Sequence, residues 1–400
     1  MTARLHDTLV NLAAHPVAWP LARAARRWGR GGVIRVPGIG VLVSDAAVAH
    51  EILVRSDDFT KNGPGSISAT MTEMIGPSAL ANMDGEAHRL LRSKLTDLFA
   101  PPSARSLLQA ADAPLAQLRA DLRDGQVVDL ARWMRILSGR ITLDMLGVTL
   151  PEGEEEAAAL TLVALGERIV AGLDLRRVSG RQRRRMRADC DRLAEYVRAG
   201  YGSPDAPPTS LICRLRALGL SFDEARGVLS LIFLAGTLST AASLPRIVAL
   251  LVDSGQLAGL RGCPEAISRA LAEGLRYVAP VPATVRIAVR DTSVLGHDVA
   301  AGARLVILTC NLTRDAALFP RPDRFDANRV HDPRARNLWY GAGPHFCLGF
   351  AVAQREMLLA LEALVAEPGE LRIVRRRVGM RRLLAGYSIL EVQLHGGGGR

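Results

Sequence analysis

The sequence predicts a mainly α-helical protein with small β-sheets. Leu, Ala and Arg dominate the 400 residues and aromatic residues make up only 4%, a composition that favours helices over aromatic-rich strands. Residues 104–280 follow a helical pattern, broken near 149–155 and 202–210 by clusters of Pro, Gly and Asp. Runs of β-branched residues with Gly and Asp turns at 285–309 and 371–394 predict the strands.

Shorter elements are predicted in order along the rest of the chain. Residues 32–45 alternate around turn glycines, which predicts a hairpin. From Asp84 the spacing is helical, and the prolines at 101–102 mark the end of that helix. An irregular stretch rich in Pro, Asn, Asp and Gly covers 312–346 and leads into a helix after Cys347.

No repeat and no long linker divides the sequence, so we expect one domain over residues 1–400 with a frayed tail at 395–400. No signal peptide is recognised, and no run reaches the roughly 18 unbroken apolar residues that a membrane span needs. The five cysteines are widely spaced and form no CxxC pair, which argues against a disulfide framework and a four-thiolate zinc site. These features predict a cytoplasmic protein.

The net charge of +11 is compatible with a nucleic-acid-binding protein. The basic residues are spread along the chain, however, and all except Lys61 and Lys94 are arginines, as expected from a coding bias. Dense runs occur at 176–187 and 375–382, where solvated surface or a contact surface for an acidic protein partner is predicted. We therefore expect no nucleic-acid partner.

The segment YGAGPHFCLGF at 340–350 places one thiol among three glycines. A thiolate at a helix N-terminus is stabilised by the helix dipole and by free backbone N–H groups. Gly341, Gly343 and Gly349 allow the backbone to approach the sulfur closely. The pattern predicts that Cys347 is a thiolate metal ligand with a flat group against the glycines; the alternative is a buried structural cysteine beside a glycine turn.

This loop resembles the haem-binding signature of the cytochrome P450 family, FGxGxHxCxG, with Tyr340 in place of the usual phenylalanine. The continuation FAVAQREM is also similar to the family's next helix, with Glu356 at the expected distance. The resemblance implies the cytochrome P450 fold and haem b as the cofactor. It further implies that Cys347 is the axial ligand of the haem iron, which favours O–O cleavage, and that His345 meets a haem propionate.

Further motifs of the family follow in the same order over roughly residues 30–395. EGLR, from Glu273 to Arg276, resembles the ExxR motif, and FPRPDRFDANR resembles the segment in which Arg324 would complete a Glu–Arg–Arg cluster. Such a buried ion network is expected to specify the fold.

Three more residues match positions at which the family binds the haem propionates. Arg286, in YVAPVPATVR, follows the ExxR motif at the family's spacing. His88 and Arg92 lie at i and i+4 on one face of a predicted helix and match the family's HxxxR pair. The resemblance thus implies that His88, Arg92, Arg286, His345 and Cys347 bind the cofactor.

The helix predicted at 228–252 contains AGTLST, which resembles the family's distal motif AGx(D/E)TT. The resemblance implies catalytic roles for Gly236, Ser239 and Thr240. Leu238 stands where the family has an acid, and Ser239 replaces the usual threonine. Leucine cannot relay a proton, and a mid-helix serine can bond to a carbonyl of the preceding turn instead.

Three functions are consistent with this departure. The first is a monooxygenase that obtains protons through Ser239, water or polar groups of the substrate. The second is a haem-thiolate enzyme of another type, for oxidative coupling, peroxide use or nitrogen-oxide chemistry. The third is a haem-binding recruitment protein without turnover.

The resemblance also implies a small-molecule substrate, and electrons from a ferredoxin and its reductase, since the chain contains no flavin or iron–sulfur motif. Apolar and small residues predict a medium-sized hydrophobic or mixed-polarity substrate, and family analogy favours bacterial secondary metabolism. Substrate contacts are expected at 61–81, 163–175, 231–239, 281–285 and 384–388. Charged candidates for a substrate anchor are Lys61, Glu73, Glu167, Arg168 and Asp174.

Overall fold

Helices dominate the chain and its strands form three small sheets, which confirms the predicted fold class. The computed structural model describes residues 3–28, 32–63, 66–172, 179–335, 337–380 and 382–396. The helices are α1 (Ala3–Ala14), α2 (Ala18–Trp28), α3 (Ala46–Val54), α4 (Ile67–Ile75), α5 (Gly85–Thr96), α6 (Pro101–Leu107), α7 (Asp112–Arg123), α8 (Leu130–Met145), α9 (Glu155–Ala171), α10 (Gly180–Gly202), α11 (Leu211–Ala217), α12 (Phe222–Ile232), α13 (Leu238–Asp253), α14 (Pro264–Val278), α15 (Thr309–Leu312) and α16 (Phe350–Ala366). The strands are β1 (Val33–Val36), β2 (Gly40–Val43), β3 (Phe59–Thr60), β4 (Val128–Asp129), β5 (Thr284–Ala288), β6 (Thr292–Val294), β7 (His297–Val299), β8 (Arg304–Ile307), β9 (Glu370–Val378) and β10 (Tyr387–His395).

The largest sheet has five strands in the order β1-β2-β8-β5-β3. Strands β1 and β2 form the hairpin predicted at 32–45, and β2 runs parallel to β8. At the other edge β3 pairs with β5 in antiparallel register, with Thr60 opposite Ile287. This pairing brings the chain after Thr60 to the strand that carries Arg286.

The predicted distal helix is part of a continuous helical segment from Phe222 to Asp253. A capping box between Ser221 and Glu224 begins α12, and a π-helical turn at Phe233–Thr237 joins it to α13. The segment is long and apolar enough to cross a membrane, but 67% of its most apolar window is buried within the fold. Burial of this kind is typical of a core helix.

Two predicted boundaries differ in the structure. Helix α5 ends at Thr96, and the prolines at 101–102 occupy the first turn of α6 rather than only ending the helix before it. Proline is tolerated there because the first N–H groups of a helix have no intrahelical partner. At the C-terminus, His395 pairs with Glu370 at the end of β10, and residues 397–400 of the predicted tail lie outside the described residues.

A buried ion cluster ties α14 to the irregular segment that precedes the cysteine loop. Glu273 and Arg276 are fully buried and form a bidentate pair at 2.6 and 2.8 Å. The third member is Arg329, whose Nε lies 3.0 Å from Glu273, while His331 Nε2 lies 3.2 Å from the same oxygen. The prediction of Arg324 is wrong: it lies in a turn with its side chain exposed and contributes only its carbonyl.

Candidate cofactor site

The loop that carries Cys347 is held against the end of α3. Gly343 has φ +65°, and a Cβ there would lie 2.6 Å from the Leu53 carbonyl oxygen, so only glycine fits. The Cys347 N–H donates to the Tyr340 carbonyl at 3.1 Å and closes the loop three residues before α16. The prediction that the cysteine lies where a long loop enters a helix is confirmed.

The sulfur of Cys347 lies in a setting suited to a thiolate that is bound to a metal. Burial raises the pKa of the Cys347 thiol, and the backbone N–H of Gly349 and the positive charges of Arg92 and Lys61 offset part of that rise. A thiol that coordinates a metal loses its proton outright. These groups would then stabilise the charge that remains on the sulfur.

Helix α5 carries two predicted site residues to the cysteine loop. The His88 and His345 rings lie with their centroids 4.4 Å apart. Arg92 Nη2 donates to the carbonyl of Phe346 at 2.7 Å, next to the cysteine. His88 is 2% exposed, and its Nε2 has no hydrogen-bond partner among the described residues. A buried, unpaired ring nitrogen of this kind indicates a place for a polar group of a ligand.

Arg286 approaches the same site from β5. Its side chain is 2% exposed and hydrogen-bonds only to neutral oxygens, the Val285 carbonyl at 2.9 Å and the Thr284 hydroxyl at 3.3 Å. Burial lowers the pKa of Arg286 to about 10. A buried guanidinium without a carboxylate partner among the described residues is costly unless an anion binds there.

Asp84 is the acid of this site, and both of its carboxylate oxygens already have hydrogen-bond partners. Its Oδ1 lies 3.1 Å from His345 Nε2, and its Oδ2 accepts a hydrogen bond from the Thr60 hydroxyl. Burial raises the pKa of Asp84, but the bonds from His345 and Thr60 outweigh it, and the pKa is lowered overall. Burial lowers the pKa of His345 to about 4, so its ring is neutral near pH 7.

The structure therefore brings the five predicted cofactor-binding residues to one site. The site combines Cys347 with the cationic side chains of Lys61, Arg92 and Arg286, which outnumber the nearby acid, Asp84. It also contains His88 Nε2, a buried nitrogen without a hydrogen-bond partner among the described residues. A Cβ added at Gly349 would meet no heavy atom within 4 Å, so the loop borders open space. A flat group with two carboxylates and a metal at its centre fits this donor set.

On the distal helix, the three predicted catalytic residues meet at one carbonyl. Ser239 Oγ donates to the Gly236 carbonyl at 3.1 Å, and Thr240 Oγ1 lies 3.3 Å from the same oxygen. The π-helical turn ends at Thr237, just before these residues, and widened turns free carbonyls for such bonds. A Cβ at Gly236 would meet no heavy atom within 4 Å, so open space borders the helix here.

Glu356 is a functional candidate whose partners the sequence did not predict. It is 6% exposed on α16, and its Oε1 accepts hydrogen bonds from Ser138 at 2.5 Å and from Thr240 at 3.2 Å. Burial raises the pKa of Glu356 to about 7, although both hydroxyls lower it. The available signal was an acid among the apolar positions of α16, such as Val352 and Met357.

Leu238 faces away from this network. Together with Ala241 and Ala242, on the same side of α13, it lines a cavity of about 410 Å³ against α9 and the β9–β10 connection. The lining includes Val163 and Leu384, from two of the stretches predicted to contact substrate, but neither Gly236 nor Cys347. An acid at position 238 would thus face α9.

Most of the charged candidates for a substrate anchor form ion pairs with other side chains of the protein. Glu167 pairs with Arg135 at 3.1 Å and Arg382 at 2.8 Å, and Arg168 pairs with Asp189 at 3.1 Å. Of the others, Glu73 pairs with two arginines of α10, Lys61 lies beside the cysteine loop, and Asp174 lies outside the described residues.

Known proteins resemble the chain in the same regions. The family model described as Cytochrome P450 matches residues 266–367, which contain the Glu273 cluster and the cysteine loop. The putative cytochrome P450 140 of Mycobacterium tuberculosis is 35% identical over 175 residues, which cover 43% of this chain and 39% of that protein. Cytochrome P450 165C4 of Amycolatopsis orientalis is 27% identical over 365 residues, covering 90% of this chain and 86% of that protein.

A solved structure extends the likeness to the whole fold. P450BioI, in complex with an acyl carrier protein ligated to hexadec-9Z-enoic acid, matches with a TM-score of 0.81 at 21% identity. The match covers 96% of this chain and 99% of that chain. Several of the curated relatives, in contrast, are matched over only 39% to 47% of their own length.

Proposed function

Because this chain belongs to the cytochrome P450 family, we propose that it is a haem-thiolate monooxygenase that acts on a medium-sized hydrophobic or mixed-polarity small molecule. The observation that supports this best is the half-buried Cys347 loop, which lies beside Lys61, Arg92 and Arg286 with Asp84 as the acid of the site. We also propose that residues 1–400 form a single domain of this fold. The reaction would be a hydroxylation or an epoxidation.

In this proposal haem b is held from both its centre and its edge. Cys347 would bind the iron through its thiolate, and His88, Arg92, Arg286 and His345 would hold the propionates. These roles are supported by the way cationic side chains and an unpaired ring nitrogen cluster around the cysteine loop. The bound haem would supply the iron at which dioxygen is reduced with two electrons and two protons, one oxygen atom entering the substrate and the other leaving as water.

Gly236, Ser239 and Thr240 are the proposed catalytic residues of the distal helix. Glu356 would hold a proton at its carboxyl group near neutral pH, because burial raises its pKa to about 7. The Thr240 hydroxyl oxygen lies 3.2 Å from this carboxyl and 3.3 Å from the Gly236 carbonyl, so its one hydrogen can be donated to either group in turn. This hydroxyl would connect the buried proton to the open space beside Gly236, in place of an acid at Leu238.

We expect that Glu356→Gln slows product formation at pH 7 about tenfold, which corresponds to about 1.4 kcal/mol in the barrier. Glutamine keeps the shape of the side chain but cannot release a proton. The rate of the wild-type protein should fall as the pH rises through about 7, because the Glu356 carboxyl loses its proton. This fall should be absent in the variant. Glu362→Gln on the same helix is the control, because Glu362 is partly exposed and, among the described residues, its one ion pair is with Arg355.

The stability of the same variant tests the pKa itself. The folded protein binds the proton of Glu356 more tightly than the unfolded chain, so stability should fall as pH rises from about 4.5 to 7. Glu356→Gln should remove this part of the pH dependence in denaturant titrations. A variant with the wild-type rate and the wild-type pH profile would show that Glu356 is only structural.

Oxygen labelling tests the proposed reaction class. A ferredoxin and its reductase, the proposed electron donors, would be supplied with ¹⁸O₂ and candidate molecules that shift the haem spin state. Product that carries one ¹⁸O atom supports a monooxygenase. Product formed only with peroxide, or without ¹⁸O, contradicts it.

A second candidate is a haem-thiolate enzyme of another reaction type, such as oxidative coupling or peroxide use. Two observations favour it: Leu238 replaces the acid and packs toward α9, and Ser239 Oγ bonds to the Gly236 carbonyl. The non-catalytic recruitment protein would bind ligands without product under any oxidant. We propose a cytoplasmic location and a role in bacterial secondary metabolism, by analogy with the family.

A further inference from the structure

Lys61 is a cation beside the cysteine loop that none of the family motifs includes. It follows directly after β3, in which Phe59 is opposite Ala288 and Thr60 is opposite Ile287. Continuing this antiparallel register by one residue places Lys61 opposite Arg286. Residues directly opposite in an antiparallel pair extend their side chains on the same face. The backbone therefore directs both cations to the same side of the sheet edge.

Two contacts keep Lys61 at this position. The hydroxyl of Thr60, the residue before it, donates to the carboxylate of Asp84, the acid that also bonds to His345. Two residues later, a Cβ added at Gly63 would lie 2.9 Å from Ile287 Cγ1, so the chain runs tightly against β5. The loop after β3 is thus fixed against the strand that carries Arg286.

The surroundings of Lys61 lack an anion to match its charge. Burial and the charges of Arg286 and Arg92 together lower its pKa to about 7, although Asp84 and Cys347 act in the opposite direction. Among the described residues Lys61 forms no ion pair, and Asp84 is already shared by Thr60 and His345. Like charges placed directly opposite each other destabilise a strand pair. A carboxylate between the two cations would remove that repulsion and form charge-assisted hydrogen bonds.

We propose that Lys61 and Arg286 form a two-cation clamp on a carboxylate, and that this carboxylate is a propionate of the bound haem. The inference rests on the proposed function, because it requires haem. It is favoured over a substrate carboxylate by the position of the clamp, since Asp84, Arg92 and Cys347 are the other ionisable neighbours of Lys61. Lys61 is then a cofactor-positioning residue and not the substrate anchor that its place in the 61–81 stretch predicted.

The test compares purified holoproteins, and the sequence provides its own control. Lys61 and Lys94 are the only lysines, and Lys94 is exposed on α5. We expect Lys61→Met to lose haem to apomyoglobin about tenfold faster than the wild type. The propionate bending band in its resonance Raman spectrum should also shift. Lys61→Arg should stay within threefold of the wild-type rate, and Lys94→Met should match the wild type in both measurements.

Each other outcome overturns a defined part of the proposal. Wild-type haem loss and an unshifted band in Lys61→Met overturn the clamp while leaving the proposed function intact. A second outcome is that haem retention is unchanged but dodecanoate binds more weakly, as measured by the haem spin-state shift that it causes. The clamp would then bind a substrate carboxylate instead. A wild-type protein that purifies without haem overturns the proposed function itself, and this inference with it.

Discussion

Replacing Cys347 with alanine abolishes the red-shifted absorption band that a thiolate-ligated haem shows when it is reduced and bound to carbon monoxide. The substitution removes the sulfur and leaves the iron without its proposed thiolate ligand. We expect product formation to fall to background. Loss of one small side chain should cost only about 1 kcal/mol of stability, so far-ultraviolet circular dichroism should show the helices intact.

Cys310→Ala is the matched control for this experiment. Cys310 is a thiol that is 3% exposed, and it lies on α15 rather than in the cysteine loop. Its variant should keep the band and the activity. A Cys347→Ala protein that retains the wild-type band would show that another residue binds the iron, and the proposed site would be wrong.

Removing the carboxylate of Glu273 should have the largest effect on stability. The Glu273→Ala substitution leaves the buried guanidinium of Arg276 without its partner, and that of Arg329 without its closest acid. Breaking a buried ion pair from one side costs about 3–5 kcal/mol, because an uncompensated charge stays buried. Denaturant titration of the purified protein should show this decrease in the free energy of unfolding.

The same carboxylate should make the fold sensitive to acid. Burial raises the pKa of Glu273, but hydrogen bonds from Arg276 and His331 and the charges of the arginines lower it to about 2. The stabilisation is therefore complete above the unfolded pKa, near 4.5, and is lost as pH falls through about 2. The shift corresponds to about 3 kcal/mol. Stability measured from pH 5 to 2 should fall less steeply in Glu273→Ala than in the wild type.

Two arginines of one segment provide a comparison within this experiment. Arg329→Ala should destabilise the fold by a few kcal/mol, because its guanidinium contacts Glu273 in the core. Arg324→Ala should change stability by less than about 0.5 kcal/mol, because its side chain is exposed. Equal effects of the two substitutions would contradict the assignment of Arg329 to the cluster.

Much of the candidate site was predictable because its signals are local in sequence. Cys347 and its glycines lie within one loop, and His88 and Arg92 are four residues apart on one helix. Their convergence with Arg286 also followed from the family's motifs. The Arg324 prediction failed because spacing along an irregular segment does not determine which side chain turns inward. That depends on a turn whose direction only the packed structure shows.

The sequence by itself determined the class of fold, the thiol in its glycine loop and the departures at Leu238 and Ser239, since periodicity and short motifs depend on neighbouring residues. Only the tertiary structure decided which distant groups meet. It brings Lys61, which follows β3, near Arg286 on the paired strand, and it places Glu356 beside Thr240 although 116 residues separate them. The charge balance and proton affinity of a buried group depend on such long-range neighbours, which no local pattern in a single sequence specifies.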